Sequence, residues 1–167
     1  MKKLFALVMI FSLITSFLLA DSLELGSPAP QLKVISDQGT ALDLGEALSV
    51  GTTLVFFYPK AMTPGCVKQA CSLRDGWDEL QSRNVSIFGV SSDTAKTQAQ
   101  FRDKYTLPFT LLADTDGKIA DAFSKSRWSR QAYIFKDGIL VWRDLKAATS
   151  EQATEILAAL DELEPNS

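Results

Sequence analysis

Seven residues, Thr52 to Tyr58 (TTLVFFY), constrain the fold most. They are β-branched or aromatic, carry no charge and hardly alternate. A strand with one wet face alternates polar and apolar residues; a run like this one is buried on both faces, so it lies centrally in a sheet with a layer packed on each side. Other short apolar runs supply neighbours: Leu32 to Ile35, Val85 to Val90 and Phe109 to Leu112. Gln131 to Phe135 and Ile139 to Trp142 flank Lys136-Asp137-Gly138, which reads as a hairpin turn. Between the strands, Ala70, Leu73, Trp77 and Leu80 are spaced for one apolar helical face, predicting a helix from Cys66 to Gln81. A second helix is expected from Asp93 to about Lys104. A third closes the chain from Thr149 to Leu163, capped by Thr149 or Ser150. Strands alternating with helices and ending in a hairpin predict an α/β three-layer sandwich with a central mixed β-sheet. Trp77, Trp128 and Trp142 are read as packing residues. Asp114-Thr115-Asp116-Gly117 is read as a turn, since the rest of a calcium loop is missing.

The first residues have a different character. Met1-Lys2-Lys3 is followed by an uncharged run from Leu4 to Ala20, the layout of a secretory signal peptide. Cleavage after Ala20 places Leu18 at the −3 position; cleavage after Ser22 places the smaller Ala20 there. The expected division is therefore a signal segment over 1–22 and one folded domain over 23–167. An uncleaved anchor is the alternative, because the run just reaches the shortest length that crosses a bilayer. Export is expected, to the periplasm in a Gram-negative bacterium, with membrane contact only if the segment is retained.

The chain has 167 residues, two cysteines and no histidine. Without an imidazole there is no Ser-His-Asp triad, no Cys-His pair and no His-ligated metal. Two cysteines cannot form a four-thiolate site within one chain. A net charge of −3 argues against nucleic-acid binding, and no G-x-G-x-x-G or P-loop points to a nucleotide. Neither a cofactor nor a metal is expected.

Chemistry concentrates where the central strand passes through a Pro- and Gly-containing loop into a helix. Cys66 sits at that helix start, where unpaired N–H groups and the helix dipole favour an anion. The thiolate is such an anion and is the reactive form of cysteine. With no histidine to act as base, activation must be electrostatic. Cys71 follows five residues later. In a helix, such a pair is about 7.5 Å apart along the axis and about 140° apart in rotation. A disulfide needs its α-carbons within about 7 Å, so the two cannot join unless the helix unwinds. Two readings stay open on spacing: a pair that cycles, and a structural disulfide of an exported protein. So short a loop makes a weak entropic staple.

The segment Tyr58-Pro59-Lys60-Ala61-Met62-Thr63-Pro64-Gly65-Cys66-Val67-Lys68-Gln69-Ala70-Cys71 resembles the active-site segment of peroxiredoxins, in particular the peroxiredoxin Q or bacterioferritin-comigratory-protein subfamily. The Pro-x-x-x-Thr-x-x-Cys pattern is carried by Pro59, Thr63 and Cys66. The likeness continues through Phe88 to Asp93, Leu107 to Asp114 and Arg130 to Gly138, and covers about Leu25 to Leu160. It implies a thioredoxin-like fold and thiol-dependent reduction of hydrogen peroxide and organic hydroperoxides. By the same resemblance Cys66 is the peroxidatic residue and passes through a sulfenic acid. Cys71 resolves it to an intramolecular disulfide, and a thioredoxin-like dithiol donor recycles the pair. Thr63 would bond the sulfur and the attacked oxygen, while Pro59, Pro64 and Gly65 would shape the substrate pocket. Arg130 matches the family's arginine and is preferred over Arg127 because it directly precedes the strand. An intramolecular pair makes a monomer the expectation. Two departures stand out: Met62 replaces a common aromatic residue, and Gln69 replaces a common glutamate, removing one negative charge beside the site. A thioredoxin-like thiol-disulfide oxidoreductase would usually carry Cys-x-x-Cys; a non-catalytic domain with a structural disulfide is the other alternative.

Overall fold

The computed structural model describes residues 23–126 and 128–164, so the expected signal segment over 1–22 and the competing Arg127 lie outside the described residues. Thirteen elements follow in order: β1 (Lys33–Ser36), β2 (Ala41–Asp43), α1 (Leu44–Leu48), β3 (Thr52–Phe57), α2 (Pro64–Asp75), α3 (Trp77–Ser82), β4 (Val85–Ser91), α4 (Ala95–Tyr105), β5 (Thr110–Ala113), α5 (Lys118–Ala122), β6 (Gln131–Lys136), β7 (Ile139–Asp144) and α6 (Gln152–Leu163).

The strands form one sheet in the order β2-β1-β5-β4-β3-β6-β7. Strands β3, β4 and β5 run parallel, and the remaining pairings are antiparallel, so the sheet is mixed as expected. β3 is central. Leu54, Phe56 and Tyr58 point to one face, where they pack with Ala70, Leu73, Leu80, Phe101 and Ile156 of α2, α3, α4 and α6. Val55 and Phe57 point to the other, against Leu44, Leu48, Ile119 and Phe123 around α1 and α5. The helices of the β3-to-β4 and β4-to-β5 crossovers, α2 to α4, all pack on the first of these faces. The three layers thus follow from a strand that is dry on both faces.

Several boundaries differ from expectation for local reasons. The helix predicted over Cys66 to Gln81 is two helices that part at Gly76, and the first begins two residues earlier, with Pro64 in its first turn. A Cβ at Gly76 would lie 2.7 Å from the Ala153 Cβ, so the packing of α6 occupies the break. Asp93 is not in α4. Thr94 caps that helix, accepting from the Thr97 N–H at 3.2 Å. Neither Thr149 nor Ser150 caps α6, which starts after Glu151 without a side-chain cap bond. The three-residue β2 and five-residue α1 and α5 are too short for a periodic signal. The Asp114 turn is present, and its carboxylate accepts from the Ile119 and Ala120 N–H groups at 2.8 and 2.9 Å, starting α5. Trp77 packs on Phe109 and Trp142 on the core. Trp128 does not fit the packing role: it is 65% exposed.

Candidate active site

The parallel strands end on one edge of the sheet, and the loop leaving β3 there delivers Cys66 into the third residue of α2. β6 runs antiparallel to β3 with Phe57 opposite Gln131. That register sets Arg130, just before β6, beside the loop. Two remote parts of the sequence meet because of strand pairing, which spacing along the chain could not specify.

Cys66 is fully buried. The Thr63 hydroxyl lies 2.9 Å from its Sγ and also 2.9 Å from the Lys60 carbonyl oxygen. A hydroxyl has one proton to donate. Beside a thiol it can accept from S–H while donating to Lys60; beside a thiolate it turns its proton to sulfur. This use of the side chain explains why Thr63, at the N-cap of α2, makes no cap bond. Arg130 Nη1 donates to Cys66 Sγ at 3.4 Å and to Gln69 Oε1 at 3.0 Å. Gly65 makes that approach possible: a Cβ there would stand 2.7 Å from Arg130 Nη2. Of the other expected pocket residues, Pro59 is half-buried at the loop entry, and Pro64 is exposed, fixing the start of α2.

A second set of bonds holds the loop. Asp93 Oδ2 accepts from the Ala61 N–H and from the Ser91 hydroxyl, both at 2.7 Å. Gln98 Nε2 donates to Ser91 Oγ at 2.9 Å and to the Leu112 carbonyl at 3.0 Å. The Tyr58 hydroxyl donates to Gln98 Oε1. Burial pushes the Tyr58 phenol well above its usual range, so it stays a neutral donor below the thiol. This clamp supports Met62 at φ 63, a left-handed conformation unfavourable for a long side chain. Asp93 belonged to a recognised motif in the sequence, but nothing there showed that its carboxylate serves the loop instead of capping α4.

Cys66 and Cys71 are both free thiols within the continuous α2. Cys71 is half-buried; burial pushes its thiol up and Arg74 partly offsets this, so it remains protonated at neutral pH. The arrangement can do a specific kind of chemistry. A buried sulfur between a hydroxyl and a guanidinium has donors aimed at charge on itself and on an incoming oxygen. Cys66 and Cys71 cannot join while α2 is intact.

Comparison with known proteins shows what the chain is similar to. A family model described as AhpC/TSA matches residues 25–143. Peroxiredoxin Bcp of Escherichia coli strain K12 is 39% identical over 119 residues, covering 70% of this chain and 74% of that protein. Peroxiredoxin Bcp of Bacillus subtilis strain 168 is 32% identical over 156 residues, covering 85% and 98%. Among solved structures, peroxidoxin BcpB of Mycobacterium tuberculosis superposes with a TM-score of 0.76 at 29% identity, over 84% of this chain and 97% of that one. A cysteine-to-serine mutant of Xanthomonas campestris peroxiredoxin Q gives 0.74 at 26% identity, over 80% and 92%.

Proposed function

This chain belongs to the AhpC/TSA family and is a peroxiredoxin, a thiol-dependent peroxidase; from that premise we propose that Cys66 is its peroxidatic residue and Cys71 its resolving residue. The observation that carries the assignment is the pair of donors, Thr63 and Arg130, converging on Cys66 Sγ. The Cys66 thiolate attacks one peroxide oxygen; an S–O bond forms, the O–O bond breaks, and the leaving oxygen takes a proton to become water or an alcohol. Negative charge moves from sulfur to oxygen along this path, and the guanidinium and hydroxyl stabilise both ends. Once α2 unwinds, the Cys71 sulfur attacks the sulfenic acid, a disulfide forms and water leaves. A thioredoxin-like dithiol donor then reduces the disulfide by exchange and is itself oxidised.

The Cys66 and Cys71 pair completes this cycle within one chain, which is consistent with a monomer. The uncharged run behind Lys2 and Lys3 supports export, with a donor in that compartment. The test follows peroxide consumption by wild type, Cys66→Ser and Cys71→Ser with a dithiol donor present. Loss in Cys66→Ser is expected and, with the donor left out, one turnover to a sulfenic acid in Cys71→Ser. Full consumption by Cys66→Ser would remove Cys66 from the reaction. An intact mass of the protein recovered from the exporting cell tests cleavage after Ala20 or Ser22.

A further inference from the structure

Among the described residues Arg130 makes its side-chain hydrogen bonds to Cys66 and Gln69, with no carboxylate among the acceptors. The neutral amide of Gln69 receives it instead. A guanidinium can only donate, so Gln69 must present its oxygen to Arg130, and its NH2 then faces the opposite way. Gln69 is completely buried, so that NH2 needs an acceptor or costs free energy. The acceptor is Gln152 Oε1, at 2.8 Å, on the first turn of α6 and also completely buried. The other contact, to the Phe57 carbonyl at 3.5 Å, is long. Gln152 in turn directs its own NH2 towards Glu155 Oε2, 3.5 Å away. Glu155 Oε2 also accepts from the Ala148 N–H at 3.3 Å. All three donors thus point the same way, from the cation of Arg130 through two amides towards a carboxylate.

We propose that Gln152 is a positioning residue for the peroxidase reaction: through Gln69 it fixes the amide orientation that holds Arg130 against Cys66. Two neutral amides do the orienting. They hold the guanidinium without neutralising it next to the sulfur, and the carboxylate stays at the far end of the chain. Alignment of successive amide dipoles reinforces each bond. A buried network of this kind works only when every member is satisfied, so removing one acceptor frees the next amide to turn. With Gln152 gone, Gln69 has no reason to keep its oxygen towards Arg130, and the guanidinium loses its fixed place.

The inference rests on Cys66 being the peroxidatic residue, and the experiment separates the two. In a Cys71→Ser background, the rate constant for sulfenic acid formation at Cys66 by hydrogen peroxide is measured by rapid quench, trapping and intact mass. Gln152→Met, which keeps length and removes both polar atoms, is expected to slow oxidation about tenfold. Gln152→Glu, held protonated in this buried place beside Glu155, restores the rate, because its carbonyl oxygen accepts from Gln69 while its O–H donates to Glu155. In an Arg130→Lys background, Gln152→Met costs almost nothing further, since its effect passes through the guanidinium. Equal losses from Gln152→Met in both backgrounds, or no rescue by Gln152→Glu, would overturn the positioning role and leave Gln152 as packing. Absence of sulfenic acid at Cys66 in the unmodified background would instead overturn the assignment of Cys66.

Discussion

Leu73→Ala tests whether forming the Cys66–Cys71 disulfide dismantles α2. Leu73 lies two residues past Cys71, is fully buried and packs in the core beneath α2. Deleting three buried carbons from such a site costs about 3 kcal/mol when the helix is docked. If the oxidised form has already unwound α2 through Leu73, the side chain is already exposed there and the substitution costs little. The reduced form alone then loses about 3 kcal/mol. For a two-electron couple that destabilisation makes the disulfide's reduction potential more negative by about 60 mV, because about 30 mV corresponds to 1.4 kcal/mol. The assay equilibrates wild type and Leu73→Ala in a series of dithiol–disulfide buffers and reads the oxidised fraction by mass after acid quenching. Urea unfolding of each redox form supplies the matching stabilities. Equal destabilisation of both forms with an unchanged potential would refute the reasoning, because Leu73 would then stay docked while the disulfide exists. Hydrogen exchange gives an independent view: protection over Cys66 to Leu73 should fall on oxidation.

Thr63→Val removes the hydroxyl beside Cys66 Sγ but no helix cap, so oxidation of Cys66 by peroxide should slow about 10- to 100-fold with unfolding by urea almost unchanged. Gly76→Ala sets helix propensity against packing: the new Cβ would meet Ala153 at 2.7 Å, and overpacking of about 1–3 kcal/mol should outweigh a propensity gain of up to about 1 kcal/mol, lowering stability to urea. Lys125, with its Nζ 4.7 Å from the Phe57 ring centroid, is pulled down to about 8 by burial. Between that value and about 10.4 the unfolded chain binds a proton that the native chain has lost. This residue therefore contributes stability that rises with pH across that window. Urea midpoints of wild type minus Lys125→Met at pH 7.5 and 9.5 should show the difference shifting in favour of wild type at the higher pH; a constant difference would contradict the burial argument.

Much of the fold was legible because β3 is unusual. TTLVFFY lacks alternation, and only a centre strand with covered faces accounts for that. Elements of at least ten or so residues with a clear apolar stripe were visible too, but their ends were not. The run from Cys66 to Gln81 keeps helical spacing across Gly76, so the pattern could not reveal that Ala153, far away in sequence, stands where a continuous helix would place a side chain. Asp93 looked like a helix start because such residues commonly are; the loop took its carboxylate instead. Trp128 was read as packing on residue type alone, and no local pattern marks an exposed tryptophan.

The sequence by itself determined the chemistry available here. With two cysteines and no histidine, a thiol at a helix start had to be activated by fixed charge and donors. The five-residue spacing, a local property of helix geometry, already required motion before the cysteines could join. Tertiary structure decided what surrounds the sulfur. Arg130 reaches it because β6 pairs with β3 in one register, and Gly65 leaves room for the guanidinium. Gln152 reaches Gln69 because α6 packs on α2. Those contacts join residues 61 to 83 positions apart, and local periodicity carries no information over such distances; the pairing of strands and the burial of helix faces create it.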